Sequence, residues 1–262
     1  MRKPKLLNHL AGLLGAILLA GVSPGCGADL LPEPGPPSEE ARQPDSLAGG
    51  ALSFAQAKRE LPGIFRQLRQ PATLYCGCSL IFTARGYTVD LDSCGYRVRA
   101  SEERAGRVEA EHIMPAHRFG GQRRCWSEGG RKNCGVTDSL YQAMEGDLHN
   151  LYPAVGEINA DRSNFKFARS VRPDFVYGRC GMKIDRRRQI ANPPDSARGI
   201  VARAYLYMSR RYGIALDPSE TNLYNYWNRL YPPGEDECRR SELIAGIQGN
   251  ANPFVAEKCR GK

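Results

Sequence analysis

Arg107-Val108-Glu109-Ala110-Glu111-His112-Ile113-Met114-Pro115-Ala116 is the stretch whose reading decides the fold. Its first half alternates polar and apolar residues, which is the period of a short β-strand, and Pro115 stops any continuation. Neighbouring strand residues point to opposite faces, so Glu111 and His112 can serve one site only where the strand ends or bends. Pro115 supplies the reason for a bend. A carboxylate can hold a hard divalent cation, and a neutral imidazole can take a proton from water.

Working outward, the chain has 262 residues and a formal charge of +9. Residues 51–262 hold 33 basic against 23 acidic residues, so the excess belongs to the part expected to fold. That balance favours a polyanionic partner: nucleic acid, or an anionic membrane or cell-wall surface. Eight of nine cysteines lie between Cys76 and Cys259, namely Cys76, Cys78, Cys94, Cys125, Cys134, Cys180, Cys238 and Cys259. An even set suits disulfides in an oxidising compartment. A zinc site is the rival, but Cys76-Gly77-Cys78 is C-x-C with no matching second pair. Eight cysteines allow 105 pairings, so connectivity stays open.

The amino terminus is basic and Leu6 to Val22 is almost wholly apolar, as in a secretory signal or a short membrane anchor. Ser23-Pro24-Gly25-Cys26 resembles a lipoprotein cleavage box, which makes Cys26 a lipidation candidate; a free secreted protein is the other reading. Residues 1–26 are therefore read as a leader and 27–51, rich in Pro and Gly, as a disordered linker. A single domain is expected over 52–262. Ser53 reads as the cap of a helix running to about Gln70, kinked or split at Pro62. Ile81-Phe82 and Thr88 to Leu91 read as a hairpin, and Val108 as a third strand. Arg118 to Asn133, with five Arg/Lys and two Gly-Gly pairs, reads as a flexible or disulfide-tied basic loop. Helices are expected over Asp138–Met144, Val155–Asn164, Ser196–Tyr212 with Gly213 as its stop, Ser219–Leu230 and Glu235–Ile247. The fold class is α+β: many helices around a small antiparallel sheet, disulfide-stabilised.

Three further polar residues take a chemical reading: Glu145, Asn159 and Arg131. Each has a plainer one, as a solvated charge, a helix cap or bend, and one basic residue among many. Taken together with Glu111 and His112 they suit phosphodiester hydrolysis, which needs an activated water, a cation against the phosphate charge, and a phosphate donor. His112 is the base, Glu111 and Asn159 are oxygen ligands, and Arg131 steadies charge on phosphorus. Glu145 orients His112 or supports the metal. Two protein ligands suit Mg²⁺, which keeps its waters. His149 reads as a structural hydrogen-bonding residue, and His117 as surface.

At these residues the chain resembles the bacterial endonuclease I family of nonspecific secreted nucleases. The resemblance runs from about Leu74 to Cys259. It is carried by Tyr75-Cys76-Gly77-Cys78, Val89 to Tyr96, Glu111 to Ala116, Gly129 to Cys134, Asp147 to Leu151, Gly156 to Arg162 and Ile247 to Pro253. It implies a mixed α/β domain with a ββα-metal (His-Me finger) active site. It also implies Mg²⁺ as cofactor, with Mn²⁺ or Ca²⁺ as other hard cations, and a DNA substrate, with RNA as a second. His112 then corresponds to the general base, Glu111 and Asn159 to metal ligands, and Glu145 and Arg131 to a supporting acid and a phosphate-stabilising arginine. Lys132, Gln248 and Asn250 are further substrate candidates. Ala110 and His117 depart from the family pattern at positions of packing or substrate fit. No protein partner is implied, the chain reads as a monomer, and its place is the periplasm or outside the cell, with an outer-membrane anchor if Cys26 carries lipid. The competing reading is a noncatalytic surface module for DNA binding or uptake.

Overall fold

The computed structural model describes residues 51–260; the expected leader, Cys26 and nearly all of the linker lie outside them. Helix α1 (Phe54–Phe65) opens on Ser53, whose hydroxyl accepts from the Gln56 amide while the Gln56 side chain accepts from the Ser53 amide. That reciprocal cap satisfies two otherwise orphaned donors. The helix passes through Pro62 as one element, and the Arg66 amide still donates to the Pro62 carbonyl at 3.0 Å. It ends at Phe65 rather than near Gln70, because Gln67 and Leu68 turn tighter and Pro71 denies Gln70 a helical backbone.

The expected hairpin forms from β1 (Leu80–Thr83) and β2 (Gly86–Val89). A single turn, α2 (Glu102–Ala105), leads into β3 (Val108–His112). Its antiparallel partner is β4 (Leu151–Val155), with Glu111 opposite Tyr152 and His112 opposite Leu151. The sequence conceals β4, because Pro153 sits in its middle. Proline is tolerated there because β4 pairs only with β3, and the Pro153 carbonyl still accepts from the Leu74 amide at 2.9 Å.

Between these strands the expected basic loop is helical. It forms α3 (Ala116–Gly120) and α4 (Arg124–Thr137), the latter broken at Gly129 and Gly130. Gly130 has φ +67°, a left-handed turn that costs glycine little. The disulfide Cys125–Cys134 closes across the break. Next come α5 (Ser139–Glu145), a 3₁₀ turn over Leu148–Asn150, and α6 (Gly156–Arg162) after β4. The strands β5 (Lys166–Phe167), β6 (Lys183–Asp185) and β7 (Ile190–Asn192) make a small mixed sheet in the order β5-β7-β6.

Helix α7 (Asp195–Tyr212) is the buried axis of the carboxy-terminal half. Ala197, Val201, Ala204, Tyr205 and Met208 recur at helical spacing and are buried. Gly213 takes the left-handed conformation that stops it, as expected. Helices α8 (Pro218–Leu230), α9 (Glu235–Gln248) and α10 (Pro253–Cys259) complete the described chain. The eight cysteines pair as Cys76–Cys180, Cys78–Cys94, Cys125–Cys134 and Cys238–Cys259. Cys76–Cys180 spans 104 residues and ties the segment before β1 to that before β6.

Loop-closure entropy ranks these bridges. Replacing Cys76 and Cys180 with alanine should cost about 4–5 kcal/mol, against about 2–3 kcal/mol for the nine-residue Cys125–Cys134 bridge. Urea unfolding of the two double variants checks the order.

Candidate active site

Strand β3 ends at His112, the chain bends through Ile113 and Met114, and Pro115 starts the next helix. Glu109 and Glu111, two residues apart, share one face of the strand. His112, although next to Glu111, reaches the same cleft because the strand stops there. The cleft has a volume of about 440 Å³. Its walls bring Glu109, Glu111 and His112 together with Phe54 and Lys58 of α1, Arg131 of α4, and Asn159 and Arg162 of α6.

Glu111 is buried. Its Oε1 accepts from the Tyr75 hydroxyl at 2.6 Å and from Arg162 Nη1 at 2.8 Å. No donor among the described residues reaches Oε2. Burial pushes its carboxyl pKa up, and Arg162 and Tyr75 pull it partly back. Arg162 is itself fully buried, and its guanidinium also donates to the main-chain carbonyls of His112 at 2.9 Å and Ile113 at 2.5 Å. One side chain thus holds both the acid and the backbone bend that follows it.

Asn159 neither caps nor bends α6. Its Nδ2 donates to Glu109 Oε2 at 2.8 Å, and Arg104 of α2 holds the same carboxylate through Nε and Nη2. With the amide nitrogen committed to a carboxylate, the orientation of the carboxamide is fixed and Oδ1 is left as an acceptor. Glu111 and Asn159 thus bring side chains with hard oxygen donors from two different elements to the lining of one cleft. Among the described residues no three His, Cys, Asp or Glu side chains gather into a closed metal cage. A pair of oxygen donors fits a cation that retains its waters.

His112 is buried, with Nε2 2.8 Å from the Glu145 main-chain carbonyl. A carbonyl only accepts, so Nε2 carries the proton and Nδ1 keeps its lone pair. Burial, helped by the charges of Arg131, Arg162 and Lys58, lowers the imidazole pKa to about 3. The ring is neutral at pH 7 and ready to accept. The sequence reading has Glu145 orient this imidazole or support the metal; the contact to the ring comes from its backbone carbonyl and not from its carboxylate. The Glu145 carboxylate accepts from Arg131 Nε at 2.7 Å and from the Tyr141 hydroxyl at 3.2 Å, so it positions the arginine.

The remaining candidates lie elsewhere. Lys132 is exposed and does not line the cleft. Gln248 and Asn250 line a separate small cavity with Asp147 and Arg211. Their side chains are taken up by the Leu148 amide, Asp147 and the Tyr207 hydroxyl. Neither residue lines the cleft that holds His112. His149 has the structural role expected of it, its Nε2 donating to the Asn250 carbonyl at 3.0 Å. His117 is exposed, as expected. The sequence reading assigned no role to Arg162, Tyr75, Glu109, Phe54 or Lys58. The spacing of Glu109 and Glu111 on one strand face was the available signal for Glu109.

Residues 69–259 match the family model described as Endonuclease I. The chain is 44% identical to an "Extracellular deoxyribonuclease" of Aeromonas hydrophila over 214 residues, covering 81% of this chain and 92% of the relative. It is 46% identical to an "Endonuclease-1" of Buchnera aphidicola over 210 residues, covering 80% and 83%. A "Periplasmic deoxyribonuclease" of Aeromonas hydrophila is 43% identical over 211 residues, covering 80% and 88%.

Burial also sets an acid limit on the fold. The His149 pKa drops from 6.5 to about 4, chiefly by desolvation. The unfolded chain therefore binds the extra proton between those values, and stability is lost as pH falls from 6.5 toward 4. The slope for this residue approaches about 1.4 kcal/mol per pH unit. His112 acts in the same sense, to a lower pH. Urea unfolding at pH 7 and pH 4.5 should show the loss, and His149→Gln should make it shallower.

Proposed function

Because this chain belongs to the endonuclease I family, we propose that it is a nuclease that hydrolyses the phosphodiester bonds of DNA outside the cytoplasm, with RNA as a second substrate. The observation that carries this reading is that His112, Glu111 and Asn159 line one cleft together with Arg131. The basic balance of residues 51–262 supports a polyanionic substrate, and four disulfides support an oxidising compartment.

His112 acts as the general base. Its tautomer is fixed by the Glu145 carbonyl, so the free nitrogen is Nδ1, and Nδ1 takes a proton from the attacking water. An imidazole with a pKa near 3 is by itself a weak base. A bound phosphodiester brings negative charge beside the ring, favours the imidazolium and strengthens the base when it is needed. Arg131, held by Glu145, donates to the non-bridging phosphate oxygens as charge builds on them. Glu111 and Asn159 would hold a divalent cation, Mg²⁺ or another hard ion such as Mn²⁺ or Ca²⁺. When bound, the cation neutralises charge on the scissile phosphate and the departing oxygen. Arg162 and Tyr75 keep the Glu111 carboxylate aimed, and Glu109 does the same for the Asn159 amide.

His112→Ala should lower plasmid cleavage by about 10²–10⁴-fold, the usual contribution of a positioned base, while leaving DNA binding in place. Excess EDTA should abolish cleavage by the wild type, and Mg²⁺ should restore it. Unchanged cleavage by the histidine variant would remove the proposed base. DNA binding without any cleavage by the wild type would favour the uptake-module reading.

A further inference from the structure

Helix α1 lies ahead of the residues that the endonuclease I model matches, yet it builds part of the cleft. Phe54 and Lys58 are one helical turn apart and so share a face. The Phe54 ring centroid lies 4.8 Å from that of His112, with the planes tilted by 41°. Lys58 Nζ is 4.6 Å from the centre of the Phe54 ring, and Arg131 Cζ is 5.4 Å from it. One aromatic side chain therefore touches the base and gathers two cations, whose attraction to its ring holds them near the imidazole.

The two cations differ in their commitments. Arg131 is paired with Glu145. Lys58 is exposed and forms no ion pair among the described residues; its described partner is the Phe54 ring. It is a charge held at the lining of the cleft without a counterion among the described residues.

The placement of α1 is fixed by packing. Ala57, Leu61, Ile64 and Phe65 are buried against Leu148, Leu151 and Ile244. Just ahead of the helix, the Leu52 carbonyl presses on Gly146, where an added Cβ would lie 1.8 Å from its oxygen. Gly146 follows Glu145, whose carbonyl holds His112. The start of α1 and the anchor of the base thus share one junction.

We propose that Lys58 and Phe54 form a phosphate subsite, in which the Lys58 ammonium binds a non-bridging oxygen of a phosphodiester flanking the scissile one. Phe54 is the positioning residue that keeps this ammonium and the imidazole in register. The inference rests on the nuclease reading and extends it to a residue for substrate binding.

The test is the salt dependence of binding. A short fluorescein-labelled DNA duplex is titrated with the full chain in EDTA, at NaCl concentrations from about 50 to 200 mM, a range over which phosphate contacts weaken steeply. Lys58→Ala should reduce the slope of log K against log [NaCl] by about 0.9, the value for one lost phosphate contact, and Lys58→Arg should restore it. Phe54→Leu removes the ring that holds both cations and should lower kcat several-fold and reduce the salt slope in part; Phe54→Tyr should recover both. Unfolding midpoints of the Lys58 variants should match the wild type, since the side chain is exposed. A wild type that cleaves and binds DNA, with an unchanged slope in Lys58→Ala, overturns the subsite alone. A wild type that neither binds nor cleaves overturns it together with the reading of function.

Discussion

The buried ion pair between Arg162 and Glu111 is the constraint on which the site depends. Both groups are almost inaccessible, with side-chain exposures of 1% and 3%. Burying such charges costs several kcal/mol each, and the pair persists only because the geometry supplies partners. Arg162 has Glu111 Oε1, the carbonyls of His112 and Ile113, and the face of Phe167 at 4.6 Å. Glu111 has Tyr75 as well. Losing either member would strand the other. The same guanidinium that neutralises the acid also stitches the chain just after β3, so the bend that turns His112 into the cleft is locked by the charge beside it.

From that clamp the rest of the arrangement follows. Strand β4 holds β3 on one edge, and α6, which continues directly from β4, delivers Asn159 and Arg162 from the same helix. Helices α4 and α5 bring Arg131 and the Glu145 carbonyl, joined by the salt bridge between those two residues. Helix α1 covers the imidazole with Phe54. The long Cys76–Cys180 bridge fixes the segment that carries Tyr75. Each side chain of the proposed site is thus held by a neighbour that is given no chemical part of its own: Glu109 for Asn159, Arg162 for Glu111, and a main-chain carbonyl for His112.

Much of this was legible in the sequence where a residue type has one dominant local use. Ser53 announced a helix start, Gly213 a helix stop, and Glu111-His112 before Pro115 the end of a strand. The fold class and the even cysteine set read correctly for the same reason. What failed depended on partners far along the chain. Glycine pairs and a low apolar content made Arg118–Asn133 look like a loop, but the Cys125–Cys134 bridge and a left-handed Gly130 let two helices form there. Pro153 hid β4, since nothing local says that a strand has only one paired edge. Arg162 takes no role from the sequence, because a buried arginine is recognisable only once its acceptors are placed. The contact between Glu145 and the imidazole runs through the backbone carbonyl, which no side-chain pattern reports.

The central claim is that Glu111 and Asn159 offer their oxygens to one divalent cation beside a neutral imidazole. Titrating the protein with Mn²⁺ and following free ion by electron paramagnetic resonance tests it without reference to activity. The account predicts one bound ion per chain, lost in Glu111→Gln and weakened at least tenfold in Asn159→Leu, with the helical circular dichroism of the asparagine variant unchanged. Undiminished binding of Mn²⁺ by both variants would contradict it.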